Sequence, residues 1–251
     1  MSNKRRPARQ IPVNQTARPV SKDKGSVCVA FLHPGECSTG FALSLMQMMV
    51  WDSATSRRIK NVINEWSSAN ISAPRNSLTA KFLDEKGDDW LLWVDADMIF
   101  DHDAVDKILE SADPVHRPIV GGLCFGSAFG GLFPTIYQMT TDADAGLKTY
   151  RVKDYESDAL IGCAATGAAF LLIHKSVLIK IRDQKFNRTF PWFQELEISG
   201  EACGEDITFC LRAGAAGFPI YVNTSVKIGH HKSQILTEEL FRQQQTITAP
   251  S

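Results

Sequence analysis

Short apolar runs alternate along the chain with segments in which apolar residues recur at helical spacing. The continuous runs, which are typical of strands buried on both faces, lie at 27–32, 90–94 and 168–173. Helical spacing is found at 38–52, 74–84, 103–111 and 175–183. Strands that alternate with helices in this order predict an α/β fold with a doubly wound sheet.

Other segments give weaker patterns. Residues 57–66 are ambiguous between helix and strand, and 126–131, rich in glycine and small residues, are predicted to form a flexible loop. Residues 134–139 and 149–152 are predicted to be strands of an excursion from the main sheet. The last segment, 237–251, is predicted to be a polar helix with a frayed terminus.

Composition favours one catalytic-size domain, predicted to span 26–236. The chain has 251 residues, of which 44% are hydrophobic and 22% charged, as in ordinary globular proteins. The first 24 residues hold seven basic side chains and one acidic one, so residues 1–25 are predicted to be a disordered basic tail. Such a tail could attract nucleic acid or an anionic surface, but the solvated interpretation is favoured and no specific nucleic-acid partner is expected.

Targeting signals are not apparent. No apolar run approaches the roughly 20 residues needed to span a bilayer, and the basic start is not followed by the apolar core of a signal peptide. The six cysteines are scattered without a CxxC pair, which favours reduced thiols over a disulfide framework. We therefore expect a cytoplasmic protein without a transmembrane segment.

An acidic pair follows the apolar run 90–94. Asp95 and Asp97 flank Ala96, and extended geometry would point both carboxylates the same way, about 6.5 Å apart at their Cα atoms. Two such carboxylates repel each other unless a cation lies between them or one is protonated. Mg²⁺ or Mn²⁺ suits a strand end of this kind, because both prefer oxygen ligands and accept substrate phosphates as further ligands. Helix caps and solvated turns also contain acidic pairs, so the motif alone is weak.

Two later motifs carry further chemistry. Glu205 and Asp206, after Gly204, open a predicted helix, where a carboxylate is stabilised by the helix dipole or serves as a general base. His230 and His231 follow a predicted strand and are either metal ligands or ordinary surface residues. Neither motif decides between its alternatives by itself.

In their order along the chain, these stretches resemble the GT-A glycosyltransferases, in particular the family 2-like group and its small relatives in bacteria and their phages. The resemblance runs from about Val27 to His231. It rests on a first strand with a proline-containing loop, Ala73-Pro74-Arg75-Asn76, the acidic pair, Gly204-Glu205-Asp206 and a late histidine. It implies a GT-A, Rossmann-like fold with a mixed, mostly parallel central sheet and helices on both faces, and a host-cytoplasmic location if a phage encodes the chain.

The resemblance also implies a donor site. Asp97 would bind the metal that bridges the donor diphosphate, with His230 as a further ligand, and Asp95 would contact the ribose or help to hold the metal. The remaining implied donor contacts are His33, Pro34, Gly35, Glu36, Arg75 and Ala96. The implied cofactor is Mn²⁺ or Mg²⁺, and the implied donor is a UDP- or GDP-sugar.

On the acceptor side, the resemblance implies that Asp206, beside Glu205, is the general base of an inverting reaction. The aromatic segment that contains Trp192 is similar to an acceptor loop, although core packing of Trp192 is an equal alternative. The acceptor would be a protein, a glycan or a lipid. Departures from the family pattern are Ala73-Pro74 before Arg75, the loop at 126–131 and the doubled histidine.

Alternative functions stay open at this point. A metal-dependent phosphohydrolase or nuclease also uses aspartates at strand ends, but normally needs more ligands to hold two metals. A nucleotidyltransferase and a non-catalytic nucleotide-sugar-binding module are further alternatives. Dinucleotide-binding and P-loop proteins are disfavoured, because neither GxGxxG nor GxxxxGK[ST] occurs at a strand-to-helix turn.

Overall fold

A computed structural model describes residues 10–12, 24–67, 70–128, 131–142, 146–198 and 200–233. The helices in these ranges are α1 (Thr39–Ala54), α2 (Ser72–Lys81), α3 (Ala104–Ser111), α4 (Lys175–Gln184) and α5 (Glu205–Ala215), and a π-helical turn, Phe82–Lys86, follows α2. The strands are β1 (Gln10–Pro12), β2 (Val27–His33), β3 (Ile59–Trp66), β4 (Trp90–Val94), β5 (Met98–Ile99), β6 (Ile119–Leu123), β7 (Phe125–Ala128), β8 (Gly131–Pro134), β9 (Ile136–Asp142), β10 (Gly146–Arg151), β11 (Ala159–Cys163), β12 (Ala165–Thr166), β13 (Phe170–His174), β14 (Leu196–Ile198), β15 (Glu201–Cys203), β16 (Ile220–Lys227) and β17 (Gly229–His230).

The central sheet has eight strands in the order β1-β11-β16-β6-β13-β4-β2-β3. Strand β2 is parallel to β3 and β4, and β16 is parallel to β6. Only β13 and β11 run against the other six, because each is antiparallel to both of its neighbours. The sheet is therefore mixed and mostly parallel in strand direction.

Helices cover both faces of this sheet, since alternate residues of each strand point to opposite sides. In β2, Val27 and Val29 belong to a core cluster with α1 and α3, whereas Cys28 and Ala30 belong to a second cluster with α2, α4 and α5. Each large aliphatic side chain buried in this way contributes about 1.5–3 kcal/mol to stability. The predicted fold class, an α/β domain with a mixed sheet and helices on both faces, is confirmed.

Several local expectations need correction. The ambiguous segment 57–66 forms the edge strand β3, and the predicted loop at 126–131 includes residues of the β7–β8 hairpin, in which Gly126 pairs with Phe133. In α1, Met46 and Val50 are 64% and 69% exposed. Because α1 is apolar on both sides, its hydrophobic spacing does not indicate which side packs on the sheet.

The ends of the chain are described only in part. Within the predicted basic tail, Gln10–Pro12 form β1, which pairs antiparallel with β11, and the Lys24 Nζ donates a hydrogen bond to the Ala112 carbonyl at 2.6 Å. Residues 1–9 and 13–23 and the predicted helix at 237–251 lie outside the described residues. No helix in the described ranges is both long enough and apolar enough to cross a bilayer.

The sheet brings two loops to one edge. Strands β2 and β4 are parallel neighbours, so their carboxyl ends meet, and the loops that follow begin at Pro34 and Asp95. Ligands of open α/β sheets bind outside the carboxyl ends of the strands. The fold therefore places the acidic pair where a ligand is expected.

Candidate active site

A cleft of about 670 Å³ opens at the carboxyl ends of β2 and β4. Its volume lies within the range of about 300–1,000 Å³ that is typical of small-molecule sites. Six of its lining residues were predicted from the sequence, namely Pro34, Glu36, Arg75, Asp95, Ala96 and Asp97. Pro34 and Asp97, which are 63 positions apart in the chain, thus line the same cleft.

The acidic pair lies in a turn and not in the extended strand that was predicted, and its two carboxylates have different partners. Strand β4 ends at Val94, and the Met98 N–H donates to the Asp95 carbonyl at 3.0 Å, which closes the turn. The Asp95 carboxylate binds Arg75, whereas the Asp97 carboxylate binds His230 and Lys232. The tight turn separates the pair because it rotates the backbone between the two aspartates.

Backbone pairing brings His230 to Asp97 from 133 residues along the chain. The two-residue strand β17 pairs antiparallel with β5, so that His230 lies opposite Met98. In addition, the His231 N–H donates to the Asp97 carbonyl at 2.8 Å. As a result, the His230 Nε2 lies 3.0 Å from the Asp97 Oδ2. His231 lines the cleft but makes its contact with Asp97 through the backbone.

The orientation of His230 suits metal binding. Its Nδ1 lies 2.8 Å from the Phe125 carbonyl, and because a carbonyl can only accept, Nδ1 carries a hydrogen there. Metal-binding histidines commonly donate their second ring nitrogen to a carbonyl in this way, which aims the other nitrogen at the metal. Without a metal the Nε2 contacts the Asp97 Oδ2 as a donor, whereas with a metal bound its lone pair would be the ligand.

Asp97 and His230 supply two protein ligands for Mn²⁺ or Mg²⁺, and waters or substrate oxygens would supply the others. Within the described ranges, no three His, Cys, Asp or Glu side chains are grouped to hold a metal. Asp95, the predicted third ligand, is engaged by Arg75 through its Oδ1 at 2.8 Å. Mg²⁺ is usually held by one or two carboxylates together with substrate phosphates and waters. Asp97 and His230 therefore fit a divalent cation whose remaining ligands would come from a diphosphate and waters.

Arg75 links the two acidic motifs. From α2, its Nη2 donates to the Asp95 Oδ1 at 2.8 Å, and its Nε lies 3.4 Å from the Glu205 Oε1 at the start of α5. The residue is only 3% exposed, and its guanidinium lies over the rings of Trp93 and Phe193, 5.0 and 5.6 Å from their centroids. A buried guanidinium requires such carboxylates, since an unpaired charge inside the protein is costly.

Two nitrogens of Arg75 make no hydrogen bond, and one of them, the Nε, still lies 3.4 Å from the Glu205 Oε1. The Nη1 atom is buried and makes no hydrogen bond, although Arg75 lines the cleft. Buried donors in native proteins are nearly always satisfied, so an orphan at a cleft indicates a group that binds there. An anionic ligand such as a phosphate matches this donor.

Asp206 lies next to Glu205 but does not line the cleft. Its Oδ1 accepts a hydrogen bond from the Ile207 N–H at 2.7 Å, and its Oδ2 faces Gly167, where an added Cβ would lie 3.5 Å away. Burial, reinforced by the negative charge of Glu205, raises the pKa of Asp206 to about 6. Carboxyl groups with a pKa close to the working pH are suited to exchange protons with a substrate.

The loop after β2 is held by a local hydrogen bond and a ring contact. The His33 Nδ1 accepts from the Gly35 N–H at 3.1 Å, so its Nε2 is the donor to the Asn64 Oδ1 at 3.2 Å. Gly35 has a φ of +102°, and a Cβ there would meet the Trp66 ring at 2.7 Å. Glycine is therefore required at position 35. His33 and Gly35 are not among the residues that line the cleft. Their hydrogen bond holds the loop that carries Pro34 and Glu36.

Trp192 is a core residue, and its assignment to an acceptor platform is wrong. It is 2% exposed in the cluster under α2, α4 and α5, and its Nε1 donates to the Leu178 carbonyl at 2.8 Å. Both ring faces are thus covered by protein. The Asn76 Oδ1 also accepts from the Trp192 N–H at 3.1 Å, which fixes this segment against α2.

Several cleft residues were not identified from the sequence as part of a site, among them Ser38, Thr39 and Lys232. Ser38 caps α1 by accepting from the Phe41 N–H at 3.0 Å, and Thr39 begins this helix, so the helix start faces the cleft. Nothing in the sequence indicated that this helix start shares a cleft with Asp95. Lys232 also lines the cleft, and the only feature of the sequence that could have pointed to it is its position after the two histidines.

The chain is similar to known proteins in structure, whereas no similarity in sequence is found. The chain matches no protein-family model and no curated protein sequence. It is similar to A197 from STIV, with a TM-score of 0.53 and 18% identity, over 83% of this chain and 86% of that one. This similarity shows a shared fold.

A weaker likeness is to GalNAc-T7, whose crystal structure contains UDP, GalNAc and Mn²⁺. The TM-score is 0.49 and the identity 9%, over 82% of this chain. The chain spans 44% of the GalNAc-T7 chain.

Arg75 should be required for stability. Arg75→Met keeps an unbranched side chain but leaves Asp95 and Glu205 without their shared cation, so we expect a loss of about 1–3 kcal/mol in the free energy of unfolding, reduced because Asp95 is partly exposed. Urea denaturation measures this loss. Arg182→Met, which breaks an exposed ion pair with Asp84, is the control and should cost about 0.5 kcal/mol or less. Equal losses in the two variants would contradict the role given to Arg75.

Asp206 should reduce stability at neutral and higher pH. Its pKa of about 6 in the folded protein exceeds the ordinary value of 3.8, so its stabilising contribution is complete below pH 3.8 and is lost as the pH rises through 6. Asp206→Asn retains an oxygen acceptor for Ile207 and removes the charge. We expect it to raise the free energy of unfolding by about 1–3 kcal/mol at pH 8 and to have little effect near pH 4. Denaturation at both values checks this, and a pH-independent effect would indicate altered packing instead.

Proposed function

We propose that this chain is a metal-dependent glycosyltransferase that moves a sugar from a UDP- or GDP-sugar to an acceptor hydroxyl, with inversion at the anomeric carbon. One observation carries the proposal: Asp97 and His230, 133 residues apart, meet at 3.0 Å beside a cleft of nucleotide size. The motif order that resembles GT-A glycosyltransferases supports the same function. The shared fold with A197 from STIV is consistent with it.

The donor would occupy the cleft at the ends of β2 and β4. Pro34 and Glu36 would contact its nucleoside, since they line the part of the cleft that follows β2. Its diphosphate would lie toward Arg75 and Asp97, where the unpartnered Nη1 of Arg75 supplies a buried positive donor. Phosphate oxygens bind such charged donors strongly.

The Asp97 Oδ2 and the His230 Nε2 would hold Mn²⁺ or Mg²⁺, with His230 oriented by its bond to the Phe125 carbonyl. When bound, such a cation acts as a Lewis acid that neutralises charge on the leaving diphosphate. Arg75 would add a second positive charge at the same place while it holds Asp95 in the turn. Asp95 is then free to contact the donor through its other oxygen, because only Oδ1 binds Arg75.

Asp206 would be the general base. Its carboxylate takes the proton from the acceptor hydroxyl as that oxygen bonds to the anomeric carbon, and the bond from this carbon to the donor phosphate oxygen breaks with both electrons leaving on the diphosphate. A pKa of about 6 leaves Asp206 mostly ionised at neutral pH while keeping it a stronger base than an ordinary carboxylate. Glu205 is a positioning residue, since its Oε1 lies beside the Arg75 Nε.

Nucleotide binding should depend on a metal and on Asp97. UDP and GDP are each added with and without Mn²⁺, and the thermal stability of the protein is measured. A ligand at about 100 times its Kd stabilises the folded state by about 2.7 kcal/mol. We expect stabilisation by at least one nucleotide with Mn²⁺, and its loss in Asp97→Asn. Asp101→Asn, a 74% exposed carboxylate four residues further on, is the matched control and should respond like the wild type. No response of the wild type to any nucleotide and metal would rule the proposal out.

Transfer should depend on Asp206 while binding does not. For a donor identified by that screen, transfer to water or to an acceptor is followed by release of the nucleoside diphosphate. We expect Asp206→Asn to slow release by about 10²–10⁴-fold, because the base is lost, with donor affinity nearly unchanged. Normal release by Asp206→Asn would show that another group is the base.

A further inference from the structure

The Lys232 ammonium contacts the Asp97 oxygen that is assigned above to the metal. The Lys232 Nζ donates to the Asp97 Oδ2 at 3.2 Å, and this is the same oxygen that the His230 Nε2 faces at 3.0 Å. Lys232 also lines the cleft. One carboxylate oxygen thus faces both the imidazole and the ammonium.

Binding an ammonium and a divalent cation to this oxygen at the same time costs free energy. Charges of the same sign a few ångströms apart repel, and the repulsion grows as water is excluded from the cleft. Of the two groups beside Asp97, His230 is held in place by the Phe125 carbonyl and by the pairing of β17 with β5. Lys232 has a flexible side chain that is 56% exposed. Lys232 is therefore the group that would move.

The cleft offers the displaced ammonium a function. Arg75, with its unpartnered Nη1, lines the same cleft, and Asp95 and Asp97 are the carboxylates on that wall. A nucleoside diphosphate brings more negative charge than Arg75 alone balances. A second flexible cation that remains in the cleft would complete the phosphate contacts, since lysine binds phosphate as a mobile point charge.

We propose that Lys232 is the counter-cation of Asp97 in the metal-free protein, and that a divalent metal displaces its ammonium into the cleft, where it binds the diphosphate of the donor. This inference rests on the proposed function, because it requires the metal to bind at Asp97 and His230. It gives Lys232 two opposite effects: it weakens binding of the metal alone and strengthens binding of the diphosphate once the metal is present.

The test compares Lys232→Met with the wild type in two binding measurements. Mn²⁺ alone is titrated, with free Mn²⁺ followed by its electron paramagnetic resonance signal, and inorganic pyrophosphate is titrated calorimetrically at saturating Mn²⁺. We expect the variant to bind Mn²⁺ about three- to fivefold more tightly and pyrophosphate about three- to fivefold more weakly, as for the loss of one partly exposed charge contact. Lys227→Met, an exposed lysine at the end of β16, makes the same change in net charge and should leave both affinities unchanged.

The outcomes separate this inference from the proposed function. If the wild type binds Mn²⁺ and Lys232→Met binds it no more tightly, or binds pyrophosphate equally well, the role of Lys232 is overturned while the metal site stands. If Lys227→Met reproduces both effects, they arise from net charge, and the inference is likewise wrong. If neither the wild type nor Lys232→Met binds Mn²⁺, the metal site itself fails, and the proposed function fails with it.

Discussion

The buried guanidinium of Arg75 holds the candidate site together. Arg75 links α2 to the acidic turn through Asp95 and to the start of α5 through Glu205. The rings of Trp93 and Phe193 lie against its guanidinium. Charges inside a protein persist only when partners compensate for lost hydration, so the three segments are mutually dependent. The same residue leaves one donor unused at the cleft, which links the architecture of the site to the ligand it would bind.

A second constraint is the short pairing of β5 with β17. It is only two residues long, yet it places His230 against Asp97 and closes the edge of the cleft. The two ends of the site therefore differ in character. Arg75 is enclosed by the core and Glu205 is largely buried, whereas Asp95, Asp97, His230 and Lys232 are partly exposed.

Much of the fold follows from local pattern. Continuous apolar runs identify the buried strands β2, β4 and β13, because burial on both faces leaves no polar alternation. The acidic pair and His230 were also visible as motifs. Contacts between distant side chains were not: the bridge from Arg75 to Glu205 and the contact of Lys232 with Asp97 depend on how α2, α5 and β17 come together. The sequence left Trp192 open between core and acceptor loop, because an aromatic ring suits a core and a sugar platform equally well until its burial is known.

The pairing of β5 with β17 also bears on how the site arises during synthesis. Strands β2, β3 and β4 and the first helices emerge from the ribosome early and can associate through contacts among themselves. The contact between Asp97 and His230 cannot form until residue 230 has been made, since His230 belongs to β17, the last described strand. Closing so long a loop is slow and comes after local structure. The cleft is likewise completed late, because His231, Lys232 and Ser233, which line it, follow His230 in the chain.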